Sequence, residues 1–493
     1  MTIDYDIVII GGSLAGRYAA LSATKLKAKV ALVETKINDA VLLVNSPYGM
    51  IYHHAFTQTG NLYQMLGNTS QFGINTSHPQ TQDQCLVCVN WQQAMLYADG
   101  VVSNLQEQDS LAILSAQGVD VIVGSGQFQS SPNLAFIIGD RHLRARAYLL
   151  ATGSVPAIPD IEGLQKTGFL TLPQIWQSLS SPNPPKKWVI LGGVPQSIEV
   201  AQTLAKLGCS VILVVYRPQI LSHYLDSEIL QLLYSQLEAD GVRVIQTPVT
   251  QVMRIDEQKW LQIGDKAIET DEILVAFAQQ PNIEFLNLAA AGVKWYQNRL
   301  LVNDKLQTTN HRIYACGDVI GGYDCPNIAN HEARIALQNS LFFPINKVSY
   351  QCIPWAIFTN PIVAQVGLTE AQAISQYNQN EVVVLRQYFK TLAVAQLQDQ
   401  TTGICKLIVL NNGEILGASI LGAEADELIN LVALAIAQKI KVHHLASLSP
   451  IYPSFSEILA QTALQWSQQR LNRNIATQEF LESFFLFRRN WNF

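Results

Sequence analysis

Two short glycine-rich turns carry residue types suited to holding a pyrophosphate. The first is Gly11-Gly12-Ser13-Leu14-Ala15-Gly16, and Glu34 follows it at the end of an apolar run, Val30 to Val33. A turn glycine lets the chain reverse tightly, and the helix that starts there offers free N–H groups and a positive dipole end to phosphate. A carboxylate ending the next strand accepts hydrogen bonds from a ribose diol. Ser13 replaces the middle glycine of a G-x-G-x-x-G pattern, but it is small and can donate a bond. The second turn is Gly192-Gly193-Val194-Pro195-Gln196-Ser197, with Glu199 just beyond it. Val194 and Ser197 replace the second and third glycines, and Pro195 suits a helix start. Val215 stands where a carboxylate would hold the 2′-OH. Arg217, two residues on, reads either as a contact for a 2′-phosphate or as a solvated surface arginine.

Each turn needs a strand before it and a helix and strand after it. Asp6 to Ile10, a helical stretch through Leu26, and Val30 to Val33 supply them for the first. Trp188 to Leu191, a helix to Leu207, and Val211 to Val215 supply them for the second. Alternating strands and helices predict an α/β chain with a parallel sheet in each of two Rossmann-like folds. A chain of 493 residues is too long for one core, so several domains are expected. With 48% hydrophobic and 14% charged residues it is globular rather than disordered. The net charge of −6 and the lack of a long basic run argue against a nucleic-acid partner. Neither a signal peptide nor a bilayer-spanning run is read. Seven scattered cysteines fit a reducing, cytoplasmic compartment.

Between the turns lies Leu149-Leu150-Ala151-Thr152-Gly153-Ser154-Val155-Pro156, and Ile313-Tyr314-Ala315-Cys316-Gly317-Asp318-Val319 follows the second fold. With the two turns, this combination resembles the pyridine nucleotide-disulfide oxidoreductases, the group of glutathione reductase, lipoamide dehydrogenase and mercuric reductase. The resemblance runs from Asp4 to about Ala463. Pro281-Asn282 is similar to the end of that family's G-R-x-P-N motif, with Ala278 and Gln279 in place of Gly and Arg. Phe358-Thr359-Asn360-Pro361 through Glu370 looks like the opening of its dimerisation domain. The resemblance implies a split FAD-binding domain, residues 1–156 and 281–344, an inserted NAD(P)-binding domain, 157–280, and an α+β dimerisation domain, 347–466, hence a homodimer. It implies FAD held by Gly11, Gly12, Ser13, Ala15, Gly16, Glu34, Ala151, Thr152, Gly153, Gly317, Asp318 and Ala329, with Asp318 on the ribityl chain. It also implies NAD(P)H at Gly192, Gly193, Ser197, Glu199 and Arg217. Val215 and Arg217 together favour NADPH over NADH.

The departures from the family pattern are chemical. The family carries two redox cysteines in G-T-C-x-N-x-G-C-x-P-x-K; here the matching stretch, Val41 to Met50, contains none, and the lysine is absent too. Tyr52, His53 and His54 follow, either lining that space or forming a helix face against the FAD domain. The family's H-P-T-x-x-E reads Tyr452-Pro453-Ser454-Phe455-Ser456-Glu457. A phenol with a pKa near ~10 is a poor proton carrier for thiols. Glu199, Tyr452 and Glu457 are the candidate catalytic residues, and Glu199 lies where the family's nicotinamide meets the flavin. The reading is an FAD-dependent oxidoreductase that passes electrons from NAD(P)H to a small non-disulfide acceptor such as a quinone or metal ion. The alternative is a non-catalytic FAD-binding sensor or scaffold.

Cys85-Leu86-Val87-Cys88 reads as a structural pair or as a redox or metal motif, and no other cluster has metal-ligand spacing. Beyond the family pattern, residues 467–493 place Phe480, Phe484, Phe487 and Trp491 on one helical face. That tail packs on its own dimer or docks on a membrane surface or protein.

Overall fold

The computed structural model describes residues 3–34, 48–67, 69–72, 89–179, 181, 183–215, 221, 223–296, 299–322 and 325–491. They form two compact units, one of residues 1–218 and 237–349, the other of residues 219–236 and 350–493.

The first unit contains both nucleotide folds. In the first fold, strand β1 (Tyr5–Ile10) leads to helix α1 (Leu14–Lys25) and strand β2 (Val30–Glu34). Helix α2 (Gly49–Gly67) comes next, and strand β3 (Ala145–Leu150) lies on the other side of β1. With Asp120–Val123 and Ile313–Ala315 these strands form the expected parallel five-stranded sheet. Its central strand is buried on both faces: Ile7, Val8 and Ile9 are fully enclosed. Such a strand reads as a continuous apolar run, as this one does. In the second fold, strand β4 (Lys187–Gly192), helix α3 (Pro195–Lys206) and strand β5 (Ser210–Val215) repeat the pattern. That sheet is also parallel and five-stranded. Helix α4 (Pro326–Leu341) returns to pack on α1.

The second unit is built on an antiparallel five-stranded sheet, in the order Trp355–Ile357, Ile362–Gly367, Ile415–Gly422, Ile404–Leu410, Val382–Tyr388. Helix α5 (Glu457–Arg473) covers it, and helix α6 (Ile475–Asn490) follows with no buried residue. Residues 219–236 join this unit through one buried cation. Lys406, only 1% exposed, donates to Asp226 at 2.8 Å and lies 2.6 Å from Glu370 and 3.2 Å from Glu228. Arg386 bridges the same Glu228 and Glu370 at 2.9 and 3.1 Å. A buried lysine needs such partners, because desolvation of an unpaired charge costs several kcal/mol.

Candidate functional site

The first turn is shaped by close approach. Gly11 has φ +111°, and a Cβ there would strike the Ala151 carbonyl. A Cβ on Gly16 would strike the Gly11 carbonyl, so α1 sits against the turn only because Gly16 has no side chain. Ser13 caps α1 by accepting from Gly16 N at 3.3 Å. The N–H groups of Gly12, Ser13, Leu14 and Ala15 have no partner among the described residues. They form the anion-binding end of a helix.

Glu34 reaches back from the end of β2 until its carboxylate occupies the space beside the Gly12 Cα. Burial raises its pKa against the opposing pull of Arg17, whose guanidinium lies 3.5 Å away. Arg17 also donates to the Gly12 carbonyl at 2.9 Å and so ties the acid to the turn.

Across the sheet, Ala151 and Gly153 (φ +67°) follow β3, and Asn282 N donates to the Gly153 carbonyl at 3.1 Å. Among the described residues the Thr152 hydroxyl is buried with no partner. Gly317 has φ +73° and donates to the buried Glu332 at 2.7 Å, and a Cβ there would stand 3.3 Å from the Ala329 methyl. Ser154 donates to Asp318 at 3.3 Å. These residues fit FAD: the open N–H groups suit its pyrophosphate, Glu34 its ribose, and Thr152 has an unspent bond.

The second turn has the same backbone but different chemistry. Gly193 has φ +117°, and its N–H is taken by the Ser197 hydroxyl at 2.8 Å, which in turn donates to the Val194 carbonyl at 2.6 Å. Pro195 has no N–H, and Val194 caps α3 without a side-chain bond. Val215, fully buried, places a methyl 3.0 Å from where a Cβ on Gly193 would stand. That is the position the Glu34 carboxylate takes in the first fold. These residues do not fit a nicotinamide adenine dinucleotide. Arg217 lies outside the described residues, as do Val41 to Pro47, Cys85 and Cys88.

Glu199, 4% exposed, accepts a bond from or gives one to His53 Nε2 at 3.0 Å, and His54 Nε2 lies 3.9 Å away. His53 stacks on Trp176, with ring centroids 5.5 Å apart, and Phe56 stacks on the same indole at 4.2 Å. Farther along the two helices, Thr57 meets Thr203 at 3.1 Å and Lys206 donates to Asn61 at 3.0 Å. Burial lowers the Lys206 pKa to about 8. The partner of Glu199 escaped the sequence reading. Its signal was the four-residue spacing of His53, Thr57 and Asn61, opposite Glu199, Thr203 and Lys206.

Tyr452 is 74% exposed on the second unit, and Glu457 accepts from Ser454 N at 3.0 Å. No hydrogen bond joins the two among the described residues, so Glu457 shapes the turn into α5. Cys316 is fully buried beside β3, and burial raises its thiol pKa well above the ordinary value. Among the described residues, no group of three or more His, Cys, Asp or Glu side chains is placed to hold a metal, and no helix is long and apolar enough to cross a membrane.

Two nucleotide folds, one with an intact cradle for FAD, followed by an antiparallel interface unit, define a flavoprotein of the two-dinucleotide type. The comparisons agree. Residues 5–336 match the pyridine nucleotide-disulphide oxidoreductase family, and residues 353–463 match its dimerisation domain. The chain belongs to that family. It is 28% identical to a mercuric reductase of Staphylococcus aureus over 472 residues, covering 94% of this chain and 83% of the relative. It is 30% identical to a dihydrolipoyl dehydrogenase of Synechocystis sp., covering 92% of this chain and 97% of the relative. A solved structure of the same fold is the HOCl-induced flavoprotein disulfide reductase RclA from Escherichia coli. Its TM-score is 0.78 at 24% identity, covering 93% of this chain and 99% of that one.

Proposed function

We propose that this protein is an FAD-dependent oxidoreductase that delivers electrons to an acceptor other than a disulfide, such as a quinone or a metal ion. The observation that carries this is the stretch Val41 to Met50, which has no cysteine thiol where the family places its redox pair. Thiol exchange needs a thiolate that attacks a disulfide sulfur. The buried Cys316 cannot supply one, and Tyr452 stands in place of the acid that would protonate the leaving thiolate.

FAD supplies two-electron chemistry when bound. The chain's own residues hold and orient it: the turn 11–16 and Glu34 at the adenosine end, Ser154 and Asp318 farther along. The homodimer is the expected assembly, and the cytoplasm the expected setting. NAD(P)H as donor, with NADPH preferred through Arg217, is the family's pattern, but the geometry of the second turn gives it no support.

The test starts from flavin-loaded protein reduced by light under anaerobic conditions. Mixing with benzoquinone or ferricyanide restores the oxidised flavin spectrum within seconds, and oxidised glutathione or lipoamide does not. Reoxidation by either disulfide at about 10 per second, an ordinary enzyme rate, would place a functional thiol pair in the protein, with Cys85 and Cys88 as first suspects. The second reading, a flavin-binding sensor or scaffold, is favoured by the depleted second turn. Failure of every acceptor to reoxidise the flavin would select it.

A further inference from the structure

We infer that the second nucleotide fold no longer takes a nicotinamide adenine dinucleotide and acts instead as a brace, its helix α3 fixed along helix α2 of the FAD fold. This rests on the flavoprotein reading and departs from what the family fold implies.

The two turns can be compared position by position. In the first, the N–H groups at positions 12, 13, 14 and 15 have no partner among the described residues. In the second, the matching positions are 193, 194, 195 and 196. Gly193 has spent its N–H on Ser197, and Pro195 has none. At least two of four phosphate donors are therefore removed. Each charge-assisted bond from an N–H to phosphate is among the stronger hydrogen bonds in proteins. Val194 adds a branched side chain where a glycine would let the pyrophosphate approach the backbone. At the strand end, Val215 presents a buried methyl to the place where Glu34 presents a carboxylate in the first fold. A ribose diol brought there would lose its bonds to water and gain none, which costs about 1–3 kcal/mol per unsatisfied group. Anchors for pyrophosphate and for ribose have both been lost, and by different residues.

The remaining family feature, Glu199, has a new partner. Its carboxylate is buried against His53 of α2. Below it the seam continues through Thr57 with Thr203 and Asn61 with Lys206. Gln202 extends it by donating to Asp240 at 2.7 Å, and Gln64 reaches the same carboxylate at 3.5 Å. Above it, Trp176 of the second fold stacks on Phe56 and His53 of the first. Glu199, Thr203 and Lys206 are thus each paired with a group on α2.

Binding tests this directly on the full chain loaded with FAD. ADP-ribose and 2′-phospho-ADP-ribose carry the adenylate half alone, the second adding the phosphate that Arg217 would meet. Titration calorimetry should show no saturable binding of either up to about 1 mM. In a second readout, NADH and NADPH at about 0.1 mM should leave the flavin absorbance unchanged for minutes without oxygen. The triple variant V194G/S197G/V215E, checked for bound flavin, should gain ADP-ribose binding by at least about tenfold. Micromolar binding of either probe by the native protein, or bleaching within seconds, overturns the inference. Those results would leave the reading of a non-disulfide acceptor intact, because light-driven reduction tests that reading without a nucleotide.

Discussion

Replacing His53 with alanine should destabilise the flavin-loaded protein by about 3 kcal/mol, and the structure shows where this comes from. His53 Nε2 bonds a buried carboxylate at 3.0 Å, and such a bond to a charged group contributes about 1.5–3 kcal/mol. The imidazole also stacks on Trp176, a contact worth about 0.5–1.5 kcal/mol. His54, at 3.9 Å from the same carboxylate, recovers part of the loss. A loss of this size lowers the melting midpoint by roughly 5 °C, measurable by circular dichroism at a fixed flavin ratio. Glu199→Gln keeps the shape and a bond to the ring, so it should cost only about 1 kcal/mol. The double variant H53A/E199A should be less destabilised than the two single losses added together, because both ends of the 3.0 Å bond are then removed at once. Coupling of about 2 kcal/mol is expected. If H53A costs under about 0.5 kcal/mol, the seam is incidental contact and the reasoning fails.

Gly16→Ala should yield protein with little flavin, because the added Cβ meets the Gly11 carbonyl and pushes α1 off the turn; the ratio of absorbance at 450 nm to 280 nm measures it. Lys406→Ala should destabilise the second unit by about 3–5 kcal/mol, as for other broken buried ion pairs, with the unfolding midpoint in urea as the readout. The same unit should be acid-labile. Burial works to raise the Glu228 pKa, but hydrogen bonds from Arg386 and Lys406 outweigh it and hold the carboxyl below its ordinary value. A depressed folded-state pKa contributes stability that is full above the unfolded value and lost as pH falls through the folded one. Melting midpoints should therefore hold at neutral pH and drop below about pH 4.5, and the Glu228→Gln variant should lose less there. Truncation after Asn474 should leave the flavin spectrum unchanged, since α6 has no buried residue; loss of flavin on truncation would make it part of the core.

Much of the fold was legible because its signals are local. The apolar run at Ile7 to Ile10 and the glycines at 11 and 16 specify strand, turn and helix without help from distant residues. The antiparallel sheet, whose strands at 404–410 and 415–422 are joined by Asn411 to Glu414, was expected only through the family resemblance, which implied an α+β domain there. The attachment of residues 219–236 to the second unit was not legible. It rests on Lys406, Arg386 and Glu370, which lie some 140 to 180 positions away from Asp226 and Glu228 and look like ordinary surface charges in the sequence.

The candidate site divides along the same line. Residues that act through backbone shape, such as Gly11 and Gly16, could be read from type and spacing, because a positive φ or a contact that leaves no room for Cβ restricts the choice, while Gly317 came through the family resemblance. Residues that act through a partner could not. Ser197 reads in the sequence only as one of the replacements that make the second turn look degraded or altered for another ligand; the structure shows its hydroxyl spending the N–H of Gly193. Glu199 looks like a retained family glutamate, and its meaning depends on His53, 146 residues earlier. A retained residue type therefore says little about a retained role. The buried carboxylate that the family pattern places beside a nicotinamide is bonded through Oε2 to His53 at 3.0 Å, a contact that ties α3 to α2.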